Sequence, residues 1–389
     1  MRMSANPSGR HPLRVLFIFE FARPEDDWMM SSLIKSIKAA RPGMNPTYIH
    51  GLFGTYRPGG LNPARLANLA WVYLQTALIV PFGRFDVVLV RSTPPGIQIW
   101  TAWCACLRRL PILCWLMDYH PEIEARILER RGFGPLARLL RRIDEASMTR
   151  FSAVVVLDRA MARIARTRAG SVTVLEHPTW GAMEASAASR LDYAPGQGTG
   201  PMRLAYSGNL GTAHDLGAFR ALLVALLTRR PVELYVVGAS AEGNGRLGDI
   251  GSSLGIPVKA HPRVPFAQLR PLYEEWCIDA GVVLMSDQTA GLLSPSKFSG
   301  YIDFGLPILY IGPSETNADD VCTKFNGGFR LSCNPRAEEL SAVTAALLDP
   351  DRMRSASQGA RAASVHFSGL NNDSLAALLS PWLKERTNR

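Results

Sequence analysis

The chain has 389 residues, with 43 Lys and Arg against 33 Asp and Glu, and a formal net charge of +10. That length suits two or three domains of about 150 residues and excludes a single small module. A content of 47 % hydrophobic and 20 % charged residues excludes a disordered, collagen-like or coiled-coil protein. The positive charge favours anionic partners without selecting among nucleic acid, anionic lipid and a phosphorylated metabolite.

The first half of the chain alternates short β-branched apolar runs with longer segments of helical period, which is typical of parallel βα units. Residues 184–200, rich in Ala, Ser and Gly, show no sustained apolar period and predict a linker. Before this linker, strands are predicted at 14–19, 46–50, 86–91, 112–117, 153–157 and 172–176, and helices at 28–40, 65–80, 96–109 and 135–149.

A second series of the same kind follows the linker. The predicted strands are 203–207, 232–237, 258–260, 280–284 and 307–311, and the predicted helices are 216–228, 266–276, 296–303, 337–348 and 370–385. The sequence therefore predicts an α/β protein with two Rossmann-like parallel-sheet domains, at 1–183 and 201–365. The terminal segment 366–389 is expected to carry a helix that packs back on the first domain.

Cysteine and histidine usage predicts neither disulfides nor a metal site. The six cysteines lack the C-x-x-C spacing of a zinc site and are interpreted as reduced, mostly buried thiols. The seven histidines are scattered, so we expect no bound metal. Residues 1–13 lack the apolar core of a signal peptide, and the apolar run 66–80 is shorter than the roughly 20 residues needed to span a bilayer. A cytoplasmic protein is expected.

Several common enzyme motifs are missing. The chain has no P-loop sequence and no H-E-x-x-H, and no G-x-G-x-x-G immediately follows a predicted strand. P-loop kinases, zinc proteases and dehydrogenases therefore lose their main support.

Two glycines lie where a predicted strand leads toward a helix. The strand 203–207 runs into Gly208-Asn209-Leu210-Gly211, where backbone amides and a helix dipole can hold an anion. The alternative is that Gly208 and Gly211 only permit a tight turn. A similar strand end at Gly238 opens into a predicted mobile Gly-rich loop at the edge where open α/β sheets bind ligands.

A second candidate anion site is Pro295-Ser296-Lys297, at the start of the predicted helix 296–303. Pro295 suits the cap region, and the Ser296 hydroxyl can satisfy free amides. Lys297 places a cation in the first turn, against the preference of the helix dipole, which favours an anionic ligand nearby. The alternative is a solvated surface lysine.

Taken together, these residues resemble the retaining glycosyltransferases of the GT-B fold, in particular family 4 and its bacterial surface-polysaccharide members. The segment 206–211 is similar to the family's strand followed by Gly-Asn-[Ile/Leu]-Gly, with Asp215 at the matching acidic position. The segment 295–307 is similar to its Pro-Ser-Lys…Gly-x-Pro donor-binding helix. Segments 85–95 and 111–122 are similar to the subgroup's succession of strands and loops, so the likeness runs from about residue 14 to 312.

The resemblance implies a nucleotide-sugar donor, with a UDP-sugar favoured, bound mainly by the C-terminal domain. The acceptor, a saccharide or lipid-linked saccharide, is bound mainly by the N-terminal domain. The two domains then face each other across a cleft in which the reaction occurs without metal or another cofactor. Lys297 and the amides of 208–211 are the candidates for stabilising the leaving diphosphate. His214 could replace a basic loop residue that this chain lacks.

Three polar residues after the strand 112–117 are the candidates on the N-terminal domain. Asp118, His120 and Glu122 stand at a strand end facing the expected cleft, where a carboxylate can stabilise a cationic anomeric carbon. The alternative is a helix start, with Asp118 as the cap and Pro121 and Glu122 in the first turn.

The chain departs from family 4 at its paired glutamates, whose positions hold Leu292 and Gly300. One alternative is therefore a non-catalytic GT-B relative acting as a partner or scaffold subunit. Another is a sugar-nucleotide 2-epimerase, for which only Asp118, His120 and Glu122 offer proton-transfer groups. Nucleic-acid binding is not expected, because the arginines within 129–131 and 138–142 form a short patch typical of a solvated helix face.

A basic and aromatic pair of predicted helices suggests contact with a membrane surface. These helices could rest on an anionic inner leaflet, as a peripheral protein does, or be ordinary core-facing helices. The residues concerned are Arg65, Trp71, Tyr73, Arg84, Trp100, Trp103, Arg108 and Arg109.

Overall fold

The structure is a computed structural model that describes residues 12–20, 28–53, 62–106, 108–178, 200–211, 214 and 216–383. The chain divides into two compact units. Unit 1 comprises residues 1–179, 291–293 and 370–389, and unit 2 comprises 180–290 and 294–369. Except for Gly200, the predicted linker 184–200 lies outside the described residues.

Unit 1 is built on a six-stranded sheet in which all pairings are parallel. The inner strands are almost fully buried, since helices cover parallel sheets on both faces, and they therefore appear in the sequence as continuous apolar runs. In spatial order the strands are β2 (Asn45–Ile49), β1 (Arg14–Ile18), β3 (Val87–Arg91), β4 (Ile112–Trp115), β5 (Ala153–Val156) and β6 (Thr173–Glu176).

Six helices of unit 1 connect these strands. They are α1 (Trp28–Ala40), α2 (Pro63–Phe82), α3 (Ile97–Cys104), α4 (Glu122–Arg130), α5 (Gly134–Met148) and α6 (Arg159–Ala169). The start of α2 is defined by Asn62, whose side chain accepts a hydrogen bond from the amide of Ala64, with proline following at the first helical position.

Unit 2 repeats this arrangement with a second parallel six-stranded sheet. In spatial order its strands are β12 (Gly328–Leu331), β11 (Ile308–Ile311), β10 (Ala280–Leu284), β7 (Met202–Ser207), β8 (Val232–Val237) and β9 (Val258–His261). Its helices are α7 (Gly217–Leu227), α8 (Ala241–Leu254), α9 (Phe266–Glu275), α10 (Phe298–Asp303), α11 (Asn317–Thr323), α12 (Ala337–Leu348) and α13 (Pro350–Gly369).

The last helix, α14 (Asn372–Leu379), belongs to unit 1. Leu375 and Leu379 share a buried cluster with Leu33 and Ile37 of α1, so α14 packs against α1. Residues 366–369, which were expected to begin the terminal segment, instead complete α13.

The prediction of an α/β protein with two parallel sheets is confirmed. The prediction of a mobile Gly-rich loop after β8 is wrong, because most of the residues between β8 and β9 form α8. The Ser240 side chain accepts a hydrogen bond from the amide of Gly243, and Leu247 and Ile250 are buried, so a cap and an apolar face outweigh the low helix propensity of glycine.

Helix α13 was not predicted, because its buried face is made largely of small residues. Ala356, Ala360 and Ala363 are buried there, and a Cβ at Gly359 would lie 2.2 Å from the Phe325 carbonyl oxygen. Close backbone packing replaces the large apolar side chains on which a periodicity argument depends.

The structure also bears on the expectations for the cysteines and for membrane-spanning helices. All six cysteines lie within the described ranges and are free thiols, of which Cys114, Cys322 and Cys333 are buried. Among the described residues, no helix is both long and apolar enough to cross a membrane.

Candidate functional site

A pocket of about 420 Å³ opens at the carboxyl ends of β7 and β8 in unit 2. Its two ionisable lining residues, Arg263 and Lys297, are both cations, and no Asp or Glu of the described residues lines it. We call it the unit 2 pocket. It is lined by Ser207, Gly208, Asn209, Val237, Gly238, Arg263, Val264, Phe266, Leu269, Ser296 and Lys297.

Lys297 lies in the wall of the unit 2 pocket with only neutral partners. Its ammonium group donates to the Asn209 carbonyl oxygen at 2.7 Å and to the Tyr206 hydroxyl, and it lies 4.1 Å from the centre of the Tyr206 ring. Burial lowers the pKa of Lys297 to about 7. Within the described part of the chain no carboxylate pairs with it, so an anionic ligand would supply the missing counter-charge.

The turn after β7 only partly matches the prediction of an amide anion site. The Gly208 amide is already used, because it donates to the Val237 carbonyl oxygen at 2.8 Å. The amides of Asn209, Leu210 and Gly211 donate to no described residue, and of these three residues Asn209 alone is in the lining of the pocket. Gly208 has a φ of +90°, a conformation that favours glycine, and a Cβ there would lie 3.2 Å from Lys297 Cε and so crowd the lysine side chain.

A buried tyrosine fixes the end of β7. The Tyr301 hydroxyl accepts a hydrogen bond from the Ser207 amide at 2.8 Å and donates to the Ala205 carbonyl oxygen at 3.0 Å. The ring fits because Gly281 has no side chain, since a Cβ there would lie 2.2 Å from Tyr301 Cγ. Tyr301 and Gly281 therefore set the position from which the turn at Gly208 starts.

Arg263 is a second cation of the unit 2 pocket that the sequence analysis missed. It follows the carboxyl end of β9 and, among the described residues, forms no hydrogen bond or ion pair. Gly238, with a φ of +70°, lies against it, and a Cβ at Gly238 would come within 3.2 Å of Arg263 Cβ. The available sequence signal was its place directly after a strand of a parallel sheet.

The loop after Gly211 is held by α8. Arg246 donates to the carbonyl oxygens of Gly211 and His214, each at 2.8 Å. Burial, with the nearby charge of Lys297, lowers the pKa of His214, whose Nδ1 lies 3.1 Å from the Gly211 carbonyl oxygen. Among the described residues that line the unit 2 pocket, His214 is not included, so the structure does not bring this predicted donor-binding residue to the pocket wall. Asp215 lies outside the described residues.

The segment before α10 differs in part from the prediction that Pro295, Ser296 and Lys297 form the cap and first turn of a helix. The helix starts at Phe298 with Lys297 in the cap position, and no side chain caps it. The Ser296 hydroxyl is exposed in the pocket wall instead of satisfying a helix amide, and Pro295 precedes it. Lys297 is thus placed by its contacts with the turn after β7 and not by a helix dipole.

Two glycine patterns in unit 2 match known enzyme motifs in sequence but do not lie where those motifs act. Residues 243–248 fit G-x-G-x-x-G and residues 251–255 fit G-x-S-x-G, but both lie in α8 or at its end instead of at a strand-to-helix turn. The Ser253 hydroxyl donates to the Ile250 carbonyl oxygen at 2.9 Å. Neither segment has the context of a dinucleotide or hydrolase motif.

In unit 1 the candidate residues lie at the carboxyl end of β4. His120 Nδ1 lies 2.5 Å from Glu124 Oε1, and no described residue contacts Nε2. The Asp118 carboxylate accepts no hydrogen bond from any described residue, and burial raises its pKa despite the opposing charges of His120 and Arg91. The Tyr119 amide fixes this turn by donating to the Leu292 carbonyl oxygen at 2.7 Å.

Two further charged residues missed by the sequence analysis belong to this edge. Glu20 follows β1 and Arg91 ends β3, and both are buried, at 3 % and 7 % exposed. Burial raises the pKa of Glu20, against the charges of Arg65, Arg91 and His120. We use the term unit 1 edge for the group Glu20, Arg91, Asp118, His120 and Glu124.

Glu122 has a different environment from its neighbours in sequence. Its carboxylate accepts hydrogen bonds from Arg126 at 3.1 Å, from Arg141 at 2.9 and 3.0 Å, and from Arg168 at 2.5 Å. Although burial opposes it, these bonds lower the pKa of Glu122 to about 2. The alternative of a helix start also holds in part, because α4 begins at Glu122, but Asp118 does not cap it.

Within the described ranges, no three His, Cys, Asp or Glu side chains are grouped so that they could hold a metal ion. The chemistry available in unit 2 is that of two cations around a pocket, with the uncommitted backbone amide of Asn209 in its lining. The chemistry available in unit 1 is that of an unpaired carboxylate beside a histidine and carboxylate pair.

Comparison with known proteins shows the fold. No protein-family model and no curated protein matches the chain. A crystal structure of a glycosyltransferase from Rickettsia africae matches with a TM-score of 0.59 at 12 % identity, covering 97 % of this chain and 100 % of that one. The apo form of the lipopolysaccharide outer core galactosyltransferase WaaB matches with a TM-score of 0.59 at 12 % identity, covering 95 % and 100 %.

A third solved structure, of WaaG, a glycosyltransferase involved in lipopolysaccharide biosynthesis, matches with a TM-score of 0.56 at 14 % identity, covering 95 % of this chain and 100 % of that one. At such identities the likeness concerns architecture. The two parallel six-stranded sheets with their surrounding helices have the GT-B fold of these glycosyltransferases.

Proposed function

We propose that the chain is a retaining, metal-independent glycosyltransferase of the family 4 type, which moves a sugar from a nucleotide donor, a UDP-sugar, to a saccharide or lipid-linked saccharide in surface-polysaccharide synthesis. The observation that carries the proposal is the unit 2 pocket, lined by two cations and by no carboxylate of the described residues. The GT-B fold supports it, because the three solved structures described above, which share this fold, are glycosyltransferases.

The unit 2 pocket suits a diphosphate. Lys297 has no anionic partner in the described residues, and its lowered pKa reflects the cost of holding a buried charge alone. A phosphate oxygen beside it would favour the charged ammonium, and the free amide of Asn209 in the pocket lining would donate to a further oxygen. Arg263, which follows the carboxyl end of β9, would contact the same anion or the nucleoside attached to it.

These cations also define a role in the chemical step. Cleavage of the bond from sugar to diphosphate leaves additional negative charge on the phosphate oxygens, and donors already in place stabilise that charge. Lys297 and Arg263 thus carry the charge-neutralising role that a divalent cation fills in other transferases. We expect activity to survive treatment with a chelator.

We assign the acceptor and the reacting sugar to the unit 1 edge. The Asp118 carboxylate would stabilise the positive charge that develops on the anomeric carbon. His120, held through Nδ1 by Glu124, would contact a sugar hydroxyl through Nε2. Glu122 is a positioning residue in this proposal, because all its bonds go to arginines that tie α4 to α5 and α6. The departing phosphate would take the acceptor's proton, as the resemblance to retaining enzymes implies.

The test is isothermal titration of the protein with UDP, GDP and CMP. We expect micromolar binding of UDP, weakened about tenfold to a hundredfold by Lys297→Ala and by Arg263→Ala, since each removes a charged hydrogen bond. The matched control is Lys324→Ala, which removes an exposed lysine of unit 2 that pairs with Asp320. Binding of none of the three nucleotides would contradict the proposal.

A second outcome would favour a non-catalytic relative. The position of the family's first glutamate holds Leu292, which is 3 % exposed and whose carbonyl oxygen binds the Tyr119 amide. The position of the second holds Gly300. A protein that binds a nucleotide but releases no sugar from the matching nucleotide-sugar, with or without saccharide acceptors, would be a binding subunit rather than a transferase.

A further inference from the structure

Gln98 is a buried polar residue of α3. It is 1 % exposed and is buried together with Ile97 and Ala102 of the same helix. Its side-chain Nε2 donates to the His120 carbonyl oxygen at 2.6 Å, whereas Oε1 is buried and accepts no hydrogen bond from any described residue. A methionine would have the same unbranched shape and would bury no unpaired amide oxygen. The bond to His120 is therefore the physical reason for a glutamine at this position.

The His120 carbonyl oxygen depends on Gln98 for a donor. The carbonyl oxygens of Tyr119 and Pro121, on either side of it, accept hydrogen bonds from amides of α4 at 3.2 and 2.9 Å. Between them, no backbone amide of the described residues donates to the His120 carbonyl oxygen. Gln98 thus supplies the hydrogen bond that the start of α4 leaves out.

The start of α3 is a fixed support for this bond. The Tyr73 hydroxyl of α2 donates to the Pro95 carbonyl oxygen, and the Tyr73 carbonyl oxygen accepts from the Trp100 indole at 2.9 Å. Burial raises the pKa of Tyr73 to about 12, so the hydroxyl keeps its proton at physiological pH. These contacts hold the chain before and after Gln98, which fixes the point from which its side chain extends.

His120 is fixed at its backbone and at its ring by two different helices. The amides that precede it in the turn are held by the Ser92 hydroxyl at 3.0 Å and by the Leu292 carbonyl oxygen at 2.7 Å. Gln98 of α3 acts on the peptide that follows the His120 Cα, and Glu124 of α4 holds the ring through Nδ1 at 2.5 Å. The Gln98 bond is thus the backbone anchor that adjoins His120 itself.

We propose that Gln98 is a positioning residue for sugar transfer, which sets the places of the His120 ring and the Asp118 carboxylate through the His120 carbonyl oxygen. Gln98 itself touches no ligand in this proposal. Its effect on the rate is indirect, because a displacement of about 1 Å at a reacting group can lower a rate about a hundredfold. The inference rests on the proposed function, since it needs the reaction to occur at the unit 1 edge.

The test is cleavage of the nucleotide-sugar chosen by the titration, measured as nucleotide released, in Gln98→Met. This variant keeps the shape of the side chain and removes the donor. We expect kcat to fall about tenfold to a hundredfold, with the nucleotide Kd and the KM for the nucleotide-sugar within about twofold of the wild type. The matched control is Gln75→Met, because Gln75 Nε2 of α2 donates to the His50 carbonyl oxygen at 2.7 Å. Its kcat should stay within about twofold of the wild type.

Gln98→Glu separates positioning from a loss of packing. The new side chain has the size of glutamine, and it can donate to the His120 carbonyl oxygen only while its carboxyl group is protonated, a form that burial favours. The ratio of its kcat to the wild-type kcat should therefore be highest at low pH and fall toward that of Gln98→Met as the pH rises. Taking this ratio cancels the titration of the unit 1 edge, which both proteins share.

The outcomes separate this inference from the proposed function. A wild-type protein that binds nucleotide but cleaves no nucleotide-sugar would remove the proposed function and the role of Gln98 with it. Cleavage by the wild type with an unchanged kcat in Gln98→Met would overturn the positioning role alone. An equal loss of kcat in Gln75→Met, or a loss that Gln98→Glu does not restore at low pH, would also overturn it, because the effect would then come from packing.

Discussion

Lys297 and Tyr206 lie 91 residues apart in the sequence, yet the Lys297 ammonium lies 4.1 Å from the centre of the Tyr206 ring and donates to its hydroxyl. The π-face attracts a cation without neutralising it, so this contact holds the ammonium in place while leaving its charge for a ligand. Burial raises the pKa of Tyr206, which keeps the hydroxyl neutral at physiological pH. The contact therefore prepares the cation for a ligand in the unit 2 pocket.

Nucleotide binding should depend on pH through Lys297. In the free protein its pKa is about 7, and a bound diphosphate would raise that pKa, so binding takes up a proton. Affinity should be greatest below pH 7 and should fall as the pH rises above 7, by up to about tenfold for each pH unit. Titration calorimetry in two buffers of different ionisation enthalpy measures the proton uptake directly.

The matched variant for this prediction is Lys297→Arg, because arginine stays protonated throughout this range. We expect its nucleotide affinity to be nearly constant between pH 6 and about pH 9. A wild-type protein whose affinity is equally constant, with no proton uptake, would show that the Lys297 ammonium does not meet the phosphates.

The place of Tyr301 should make Gly281 intolerant of any side chain. A Cβ at Gly281 would lie 2.2 Å from Tyr301 Cγ, and the ring cannot move without breaking its hydrogen bonds to Ser207 and Ala205. Gly281→Ala should lower the free energy of unfolding by about 3 kcal/mol, at the upper end for overpacked cores. Thermal and denaturant unfolding measure this.

Gly245→Ala is the control for Gly281→Ala. A Cβ at Gly245 meets nothing within 4 Å, and the residue lies inside α8, where alanine is the better helix former. The free energy of unfolding of this variant should exceed that of the wild type by about 0.5–1 kcal/mol. Equal stability of the two alanine variants would contradict the packing argument.

The fold could be predicted because the buried strands appear in the sequence as short apolar runs. The strands β1, β3, β4 and β5 are buried on both faces, so composition alone locates them. The pattern contains no information on strand order, and strand order is what brings Glu20, Arg91 and Asp118 together at the ends of β1, β3 and β4. The unit 1 edge could therefore be predicted only at Asp118 and His120, which are close in sequence.

The unit 2 pocket was predictable to a similar degree. Gly208 stood out as a glycine turn directly after a predicted strand, and Lys297 stood out as a cation at a predicted helix start, which the helix dipole disfavours. Arg263 did not stand out, because it stands alone after a short strand, and its approach to the pocket depends on the backbone conformation of Gly238. Of the three arginines that hold Glu122, Arg126 has the i,i+4 spacing of a helical ion pair, but Arg141 and Arg168 come from α5 and α6, which no spacing rule connects to Glu122.

Replacement of His120 should affect sugar transfer without affecting nucleotide binding. The Glu124 carboxylate holds His120 Nδ1 at 2.5 Å, and no described residue contacts Nε2. With the nucleotide-sugar chosen by the titration, His120→Ala should lower kcat about tenfold to a hundredfold, as expected for a lost hydrogen bond to the reacting sugar. Glu124→Gln, which keeps the size of the side chain, should have a smaller effect because the ring remains.

The nucleotide Kd of both variants is the internal control, since His120 and Glu124 belong to unit 1 and the nucleotide is assigned to unit 2. An unchanged kcat in His120→Ala would remove His120 from the site. A changed nucleotide Kd would instead indicate damage beyond the unit 1 edge.

Glu122→Gln should destabilise the protein strongly. The carboxylate is 4 % exposed and joins α4 to Arg141 of α5 and Arg168 of α6. The variant replaces its charge by a neutral amide, although Arg141 keeps Glu129 and Arg168 keeps Asp144 as partners. Because these partners remain, the loss should lie at the lower end of the range for a broken buried ion pair, about 3 kcal/mol. Glu129→Gln is the control, because Glu129 also binds Arg141 but is exposed, and this variant should unfold close to the wild-type midpoint.

The difference in free energy of unfolding between the wild type and Glu122→Gln should also depend on pH. The pKa of Glu122 is about 2 in the folded protein, below its ordinary value of about 4.5, so the charged carboxylate stabilises the fold above pH 4.5. That stabilisation should be lost as the pH falls from about 5 toward 2. Asp144, whose pKa burial raises to about 6, acts in the opposite direction but is present in both proteins. Urea unfolding at pH 7 and at about pH 3.5 tests this; an equal difference at both pH values would show that the Glu122 charge does not hold the three helices together.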